Sequence, residues 1–243
     1  MTVEYVLQAS VARIHLNRPE RLNAVVPALQ ADLLASVRRA EADGARAIVL
    51  AGRGRAFCSG YDLKEPDSGE DTLQTRVRIE QIQDITRAVR RFPGVVIAAV
   101  HGYALGAGCE FALGCDLVVA TQDAQFGFPE VGVGLSVTGG ISKLLPMLVG
   151  PVRAKELLLL GDRIDATTAH RIGLVNRVVP GGEHETVALE LAATVASRPA
   201  VATATAKYAL DRGIDATLED ALSTEVDHAL ITRVTNELDV FDD

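Results

Sequence analysis

Cysteine is scarce in this 243-residue chain. Its three cysteines, Cys58, Cys109 and Cys115, are odd in number, and their spacing matches no metal-binding motif. This usage favours a reduced, intracellular setting. Cys109 and Cys115 lie among apolar residues, which predicts that they fill a core and do not act as nucleophiles.

Positive charge is also in short supply. The chain has 24 Lys and Arg against 32 Asp and Glu, a formal net charge of −8. Binding to nucleic acid phosphates needs a basic surface, so nucleic acid is not expected as the main partner. A phosphorylated small molecule stays possible, because a few local basic residues can hold one.

Long apolar runs are missing. No stretch approaches the roughly 18 apolar residues of a membrane span, and no basic-then-apolar leader opens the chain. We therefore expect a soluble, cytoplasmic protein that does not enter a membrane. Apolar residues still make up 48% of the chain, enough for the core of one large domain, or of one domain with a smaller appendage.

Motifs for metal binding and covalent catalysis are missing as well. The five histidines are scattered without metal-ligand spacing: His15, His101, His170, His184 and His228. The segment CSGYD (58–62) lacks the strand–nucleophile–helix context of a serine hydrolase. We expect no metal and no covalent nucleophile.

Strand-like and helix-like segments alternate through the first two-thirds of the chain. Strands are predicted at 11–16, 46–52, 95–100 and 117–120, and helices at 27–44 and 72–92. The second helix carries Val77, Ile82, Ile85 and Val89 in helical register. The order β-α-β-α-β predicts an α/β fold with parallel strands.

From about residue 150 the pattern becomes mostly helical, with one strand predicted at 176–179. We place a boundary between a core, 1–182, and a helical C-terminal region, 183–243. In that region an apolar stripe repeats every four residues: Leu218, Leu222, Val226, Leu230 and Val234. The stripe either needs a partner chain or packs on its own core.

A glycine-rich loop follows the strand at 95–100. Gly102, Gly106 and Gly108 give the spacing G-x-x-x-G-x-G, which is similar to a dinucleotide-binding loop. A short-chain dehydrogenase would also need a Tyr with a Lys four residues on, and none of the four tyrosines has one. The dinucleotide interpretation is therefore poor.

The alternative is a pair of loops that stabilises a carbonyl oxygen bearing negative charge. Glycine at a strand-to-helix turn lets a ligand approach the unpaired N–H groups of the first helical turn. A second loop of small residues, AFCSGYDL (56–63), follows the strand at 46–52. Loops at the ends of successive parallel strands can converge on one crevice and supply one N–H each.

Two acidic residues lie among apolar neighbours close to these loops. Glu110 follows the glycine loop, and Glu130 lies in QFGFPEVGVG (125–134). Apolar surroundings raise the pKa of a carboxyl group toward the range where it serves as acid and base near neutrality. Alternatively, Glu110 only caps a helix N-terminus and Glu130 is a solvated loop acid.

Taken together, these motifs resemble the crotonase (enoyl-CoA hydratase/isomerase) superfamily. The matching segments, in the family's order, are LNRPERLNAV (16–25), AFCSGYDLKE (56–65), GYALGAGCEFALGCDLVVA (102–120), AQFGFPEVGVGL (124–135) and AKELLLLGDRIDATTAHRIGLVNRVV (154–179). The resemblance covers about residues 3–225. It implies a spiral of ββα turns followed by a helical C-terminal region.

The resemblance also implies roles for individual residues. The oxyanion N–H groups come from Tyr61 and Ala107, and the two glutamates that hold the added water match Glu110 and Glu130. Residues around the substrate and its CoA moiety are Arg21, Ala24, Ser59, Asp62, Leu63, Lys64, Gly106 and Pro129. Lys64 fits a surface lysine in solvent equally well.

The implied activity is syn hydration of a 2-enoyl-CoA, with Glu110 activating the water and Glu130 delivering the proton to C2. A double-bond isomerase and a non-catalytic acyl-CoA-binding subunit are the alternatives. No separate cofactor is expected, since CoA is part of the substrate, and a homotrimer or hexamer is implied.

Three departures from the family pattern bear on the site. Ala107 stands where glycine is usual, and its N–H can serve if its φ is negative. Tyr61 is bulky where a small residue is common. The segment SVTGGISKLLP (136–146) lacks the usual Pro-Gly-Ala run, so the acyl side of the pocket is expected to differ.

Overall fold

A computed structural model describes residues 1–64 and 69–239 of the chain. Within these ranges the strands form two sheets. The larger sheet contains β1 (Val3–Gln8), β2 (Val11–Leu16), β3 (Ala47–Gly52), β4 (Val95–Val100), β6 (Leu117–Thr121) and β9 (Arg177–Val179). The smaller sheet contains β5 (Tyr103–Leu105), β7 (Gln125–Gly127) and β8 (Ile164–Asp165). The spatial order of the larger sheet follows the chain. All its pairs are parallel except β1 with β2.

Nine α-helices lie in the described ranges. They are α1 (Pro27–Ala42), α2 (Thr72–Arg91), α3 (Ala107–Gly114), α4 (Ile141–Val149), α5 (Pro151–Leu160), α6 (Ala166–Arg171), α7 (His184–Ala196), α8 (Ala200–Gly213) and α9 (Leu218–Asp239). Short 3-10 helices span Pro19–Arg21 and Glu130–Val133. The predicted parallel strands and the mostly helical C-terminal part are confirmed.

The strand β3 is covered on both faces, as its unbroken apolar sequence predicts. Ile48 and Leu50 point into the main core, while Val49 and Ala51 point to the opposite face of the sheet. The small residues Ala188 and Ala192 of α7 cover that second face. The sheet is therefore a central layer between two apolar layers.

The chain repeats one unit, a strand in the larger sheet, a strand or bridge in the second layer, and then a helix. The complete example is β4, β5 and α3. In the two earlier units the middle strand shrinks to single bridges, Cys58 with Ala104 and Val25 with Tyr61. The expected spiral of ββα turns is confirmed.

The two glycine-containing loops are paired through their backbones. The N–H of Cys58 donates to Tyr103 O at 2.8 Å, and the N–H of Leu105 donates to Cys58 O at 3.0 Å. A Cβ on Gly108 would lie 2.3 Å from Cys58 O, so only glycine allows this approach. The contact holds the start of α3 against the loop after β3.

Several elements escaped the sequence analysis. The strands β5, β7 and β8 have only two or three residues each, too few to show a period of two. The helix α4 contains Pro146, which obscures its helical pattern. β1 was also missed.

The four apolar residues predicted in helical register on α2 do not all face the core. Val77 is 62% exposed, whereas Ile82, Ile85 and Val89 are buried. α2 packs against α1 and α3, and its first half borders a cavity and an outer groove.

The C-terminal helices contact the core in different ways. α7 packs on the sheet. From α8, the ammonium of Lys207 donates hydrogen bonds to Asp116 at 2.8 Å and to Gly94 O at 3.1 Å. The stripe on α9 is exposed in the single chain, so packing on its own core is ruled out. The boundary after residue 182 stays a prediction, and 240–243 lie outside the described residues. Across the described helices, none combines the length and apolar character needed to span a bilayer.

The loop pairing makes a testable prediction. Gly108→Ala would force a Cβ against Cys58 O, so the loops must separate, and we expect the free energy of unfolding to fall by about 1–3 kcal/mol. Gly114→Ala in the same helix has nothing within 4 Å of the added Cβ and is expected to be neutral or slightly stabilising. Urea unfolding measures both, and equal effects of the two substitutions would contradict the contact.

Candidate active site

A cavity of about 720 Å³ lies beside the two glycine-containing loops. We call the loop after β3, residues 56–63, the first loop and the loop before α3 the second loop. The lining of the cavity includes Tyr61 from the first loop, Glu110 from α3 and Glu130 from the 3-10 helix after β7. Residues of α2 and the segment 135–138 complete the wall. Five of the predicted site residues therefore share one cavity: Tyr61, Asp62, Leu63, Glu110 and Glu130.

Glu110 is held rigidly in this cavity. It is 1% exposed, and both carboxylate oxygens accept hydrogen bonds from Thr138: Oε1 from the backbone N–H and Oε2 from the hydroxyl, each at 2.6 Å. Because the carboxylate bonds to Thr138, Glu110 is more than a cap of its own helix. Burial raises the pKa of Glu110, and the two bonds from Thr138 oppose that rise.

Glu130 is buried but has no such anchor. It is 7% exposed, which excludes a solvated loop acid, and its Oε2 has no hydrogen-bond partner among the described residues. Burial raises the pKa of Glu130 to about 7, with a further contribution from the charge of Glu110. The two carboxyl groups therefore differ in the hydrogen bonds that stabilise their charged forms.

Gly106 makes room for Glu130. A Cβ on Gly106 would lie 2.8 Å from Glu130 Oε1, and the φ of Gly106 is +52°, a conformation that suits glycine. The same Cβ would be 3.7 Å from the Cα of Gly60 in the first loop. Gly106 thus brings the first loop, the second loop and one carboxyl group together.

The two predicted oxyanion donors each follow one of these glycines. The N–H groups of Tyr61 and Ala107 have no backbone acceptor in the part of the chain that the structure describes. Ala107 is the first residue of α3, where N–H groups are unpaired and the helix dipole is positive. It is not among the residues with positive φ, so the condition set for alanine at this position is met.

The segment before α1, residues 16–25, which we call the strap, is hydrogen-bonded to the first loop and the residues just before it. Asn23, fully buried and in the left-handed region, donates to Arg53 O and Ala56 O. Val25 donates to Gly60 O at 2.8 Å. These bonds show what Asn23 and Val25 do in the segment 16–25: they hold it against the chain after β3.

Asp62 of the first loop joins that loop to the strap through two arginines. Its Oδ2 accepts from Arg18 at 3.3 Å and lies 3.6 Å from Nε of Arg21. Arg18 also donates to Ala24 O at 2.5 Å. The predicted residues Arg21, Ala24 and Asp62 therefore lie together.

The remaining predicted residues are spread around this centre. Ser59 bonds to Leu22 O through its N–H, and Pro129 immediately precedes the helix of Glu130. Leu63 lines the cavity, whereas Lys64 is exposed and outside its lining. The position of Lys64 fits either a phosphate contact or a surface lysine.

Sequence reasoning missed Thr138, Arg18 and Arg78. A threonine in a glycine-rich turn shows no pattern, and its partner Glu110 is 28 residues away. Arg78 lies on the cavity wall, in the half of α2 that borders the cavity, which the periodicity of the helix does not reveal. Arg18 could have been found from its place within the motif 16–25. Throughout the described ranges, no group of three or more His, Cys, Asp and Glu side chains is placed to hold a metal ion.

Comparison with known proteins agrees with this architecture. The family model described as enoyl-CoA hydratase/isomerase matches residues 7–240. A short-chain-enoyl-CoA hydratase of Clostridium acetobutylicum is 36% identical over 220 residues, covering 90% of this chain and 84% of that protein. A crotonyl-CoA hydratase of Syntrophomonas wolfei is 34% identical over 222 residues, covering 90% and 85%.

A solved structure gives the same result in three dimensions. The enoyl-CoA hydratase of Bacillus anthracis superposes with a TM-score of 0.89 at 34% identity, covering 94% of this chain and 90% of that one. The chain therefore belongs to the enoyl-CoA hydratase/isomerase family, within the crotonase superfamily, and is an enzyme of the enoyl-CoA hydratase class.

Proposed function

We propose that this enzyme catalyses the reversible syn addition of water across the 2,3 double bond of a 2-enoyl-CoA thioester. The observation that carries the proposal is the pair of buried carboxyl groups on one cavity: both oxygens of Glu110 accept hydrogen bonds from Thr138, whereas Oε2 of Glu130 has no partner among the described residues. A hydratase needs one group to activate water and one to deliver a proton, and the two environments suit these two tasks.

The proposed reaction uses these groups in turn. Glu110 orients one water and takes a proton from it while the water oxygen forms a bond to C3 of the substrate. The electron pair of the double bond moves toward the thioester, and the N–H groups of Tyr61 and Ala107 stabilise the charge on its oxygen. Each such donor is worth roughly 3–4 kcal/mol in comparable sites. Glu130 then delivers its proton to C2, and transfer of the proton from Glu110 back to Glu130 restores the enzyme.

The CoA moiety is assigned to the side of the cavity formed by the strap and the first loop. Arg21, Ala24, Ser59, Asp62, Leu63 and Lys64 are the proposed contacts, with Gly106 and Pro129 at the acyl carbons. Asp62 already neutralises part of the charge of Arg18 and Arg21, which leaves exposed Lys64 as the cation for the phosphates. No separate cofactor takes part, and we place the enzyme in the cytoplasm.

Two other functions are kept as alternatives within the same site. A double-bond isomerase needs only one glutamate to move the proton, so the second would be dispensable. A non-catalytic acyl-CoA-binding subunit has little use for two buried acids, which makes it the weaker alternative.

The central prediction concerns the two acids. Glu110→Gln and Glu130→Gln are each expected to lower kcat for hydration by about 10²–10⁴-fold, because each removes one proton-transfer group. Loss of the enoyl absorbance of crotonyl-CoA measures the rate. If Glu110→Gln keeps most activity while a 3-enoyl-CoA is still isomerised, the isomerase alternative replaces hydration.

A second prediction concerns Thr138. Thr138→Val removes the hydroxyl that stabilises ionised Glu110, so the pKa of Glu110 rises. Activity that needs ionised Glu110 is lost as the pH falls, so the acidic limb of the kcat profile is expected to move to higher pH. The alkaline limb reports loss of the proton from Glu130 near pH 7 and stays in place.

Thr138→Ser keeps the hydroxyl and serves as the matched control. It is expected to retain the wild-type acidic limb. A profile for Thr138→Val that drops at every pH without moving would mean that the hydroxyl only supports the fold.

We also propose that the chain forms a homotrimer, or a hexamer of two trimers. Support comes from the α9 stripe, whose five residues are between 47% and 77% exposed in the single chain. Light scattering at micromolar concentration is expected to give three or six chain masses, and Leu222→Lys with Val226→Lys should lower that mass. A wild-type monomer would refute the assembly.

A further inference from the structure

The peptide unit between Gly60 and Tyr61 carries the first proposed oxyanion donor. Its N–H belongs to Tyr61 and its carbonyl to Gly60, and in a planar trans peptide these two groups point in opposite directions. The Gly60 carbonyl accepts a hydrogen bond from the N–H of Val25 at 2.8 Å. This bond therefore turns the N–H of Tyr61 away from Val25 and the strap.

Val25 holds the chain on both sides of Tyr61. The carbonyl of Val25 also accepts from the N–H of Asp62 at 3.0 Å, and Val25 and Tyr61 form a parallel bridge. In such a bridge one residue bonds to both neighbours of the residue opposite, whose own N–H faces the other way. The N–H of Ser59 bonds to the strap and that of Cys58 to the second loop, so the first loop runs between the two. The N–H of Tyr61 thus faces the side of the second loop.

The second proposed donor needs no such support from another segment. Its peptide unit joins Gly106 to Ala107, and the Gly106 carbonyl accepts from the N–H of Glu110 at 2.9 Å, in the first turn of α3. The helix itself therefore orients the N–H of Ala107. Tyr61 is a bridge residue and lies on no helix. For the first donor, the strap does what α3 does for the second.

Asn23 anchors the strap two residues before Val25. Its side chain is fully buried and bonds to three backbone groups. Nδ2 donates to Arg53 O at 2.9 Å and to Ala56 O at 2.8 Å, and Oδ1 accepts from the N–H of Arg18 at 2.8 Å. One side chain thus joins the strap to the chain that leads from β3 into the first loop.

The backbone at this anchor is in an unfavourable conformation. Leu22 and Asn23 have φ of +52° and +54°, in the left-handed region that residues other than glycine rarely enter. Such a conformation persists only where the surrounding structure enforces it, and it is most frequent at functional sites. The Leu22 carbonyl accepts from the N–H of Ser59 at 3.1 Å. The strained turn therefore keeps the strap alongside the first loop.

We propose that Asn23 is a positioning residue for catalysis. It holds the strap so that the N–H of Val25 fixes the Gly60 carbonyl, which aims the N–H of Tyr61 at the thioester oxygen. Asn23 lies outside the cavity lining and acts only through the backbone. The inference rests on the proposed function for the place of the thioester oxygen. It gives the segment 16–25 a part in the chemical step, in addition to its proposed contacts with CoA.

The first test is Asn23→Gly, which removes the side chain and keeps a residue that favours positive φ. Because the N–H of Tyr61 would lose its fixed direction, kcat for crotonyl-CoA hydration is expected to fall about tenfold to a hundredfold. That is less than the roughly 10²–10³-fold loss of a whole oxyanion donor. KM is expected to change much less than kcat, because the donor acts most strongly on the transition state.

The carbonyl of a bound thioester gives a direct readout of the donor. Butanoyl-CoA, isotopically labelled at its thioester carbonyl, has no double bond to hydrate, and hydrogen bonds to its oxygen lower the infrared stretching frequency. Wild type is expected to lower this frequency relative to the thioester in water, and Asn23→Gly to reverse part of the shift. The bound thioester alone is observed, so the result does not depend on how much of a variant is folded.

Asn176→Gly makes the same substitution away from the site. Oδ1 of Asn176 also bonds to a distant backbone group, accepting from the N–H of Val118 at 2.7 Å, and the residue lies outside the cavity lining. This variant is expected to keep the wild-type kcat and carbonyl frequency even if its free energy of unfolding falls. Equal losses in the two variants would overturn the inference, because any weakened fold would then lower activity.

A second change removes the bond to Gly60 and leaves the anchor intact. Replacing Val25 by its α-hydroxy acid, through nonsense suppression, exchanges the N–H for an oxygen and keeps the side chain. We expect lower kcat and a higher carbonyl frequency, and this variant decides the matter if Asn23→Gly does not fold. Wild-type values for both would overturn the inference and leave hydration in place. A lost frequency shift in an enzyme that hydrates no thioester supports the inference and refutes only the proposed function.

Discussion

The active site depends on the backbone pairing between the loop after β3 and the loop before α3. Two hydrogen bonds through Cys58 and the absence of a side chain at Gly108 bring the loops into direct contact. Gly106 extends the contact to Glu130, because any side chain there would displace the carboxyl group. One feature of the backbone thus sets the positions of both proposed oxyanion donors and of one acid, which explains why this stretch of chain contains so many glycines.

The two acids show how environment distinguishes identical side chains. Burial raises the pKa of both carboxyl groups, but only Glu110 receives two hydrogen bonds that stabilise its charge. Glu130 lacks them, and burial raises its pKa to about 7. The difference comes from Thr138, a residue on the segment that departs from the family pattern, so the electrostatics of this pair are partly a property of this particular chain.

The sequence predicts the features that are periodic or compositional. Continuous apolar runs predicted β3 and β4, and small residues around Gly60 and Gly106 predicted two loops that meet. Elements of two or three residues, such as β8, are fixed by their neighbours in space and show no period of their own. Thr138 was missed for a related reason, since its partner Glu110 comes from a distant part of the chain. Val77 shows the opposite error: a regular helical pattern continues into the half of α2 that borders an outer groove, where Val77 is exposed.

The order of strands in the larger sheet has a consequence for how the protein forms during synthesis. Each of the strands from β2 to β6 pairs with the previous strand of that sheet, so each ββα unit can dock on the one made before it without waiting for distant chain. The paired loops come from the second and third units and can meet early, whereas Glu130 and Thr138 follow in the next. Nascent chains that end before residue 130 would therefore have the two glycine-containing loops paired but would lack Glu130. In terms of the proposed function, the groups that bind the thioester oxygen would form before the pair of acids that moves the proton.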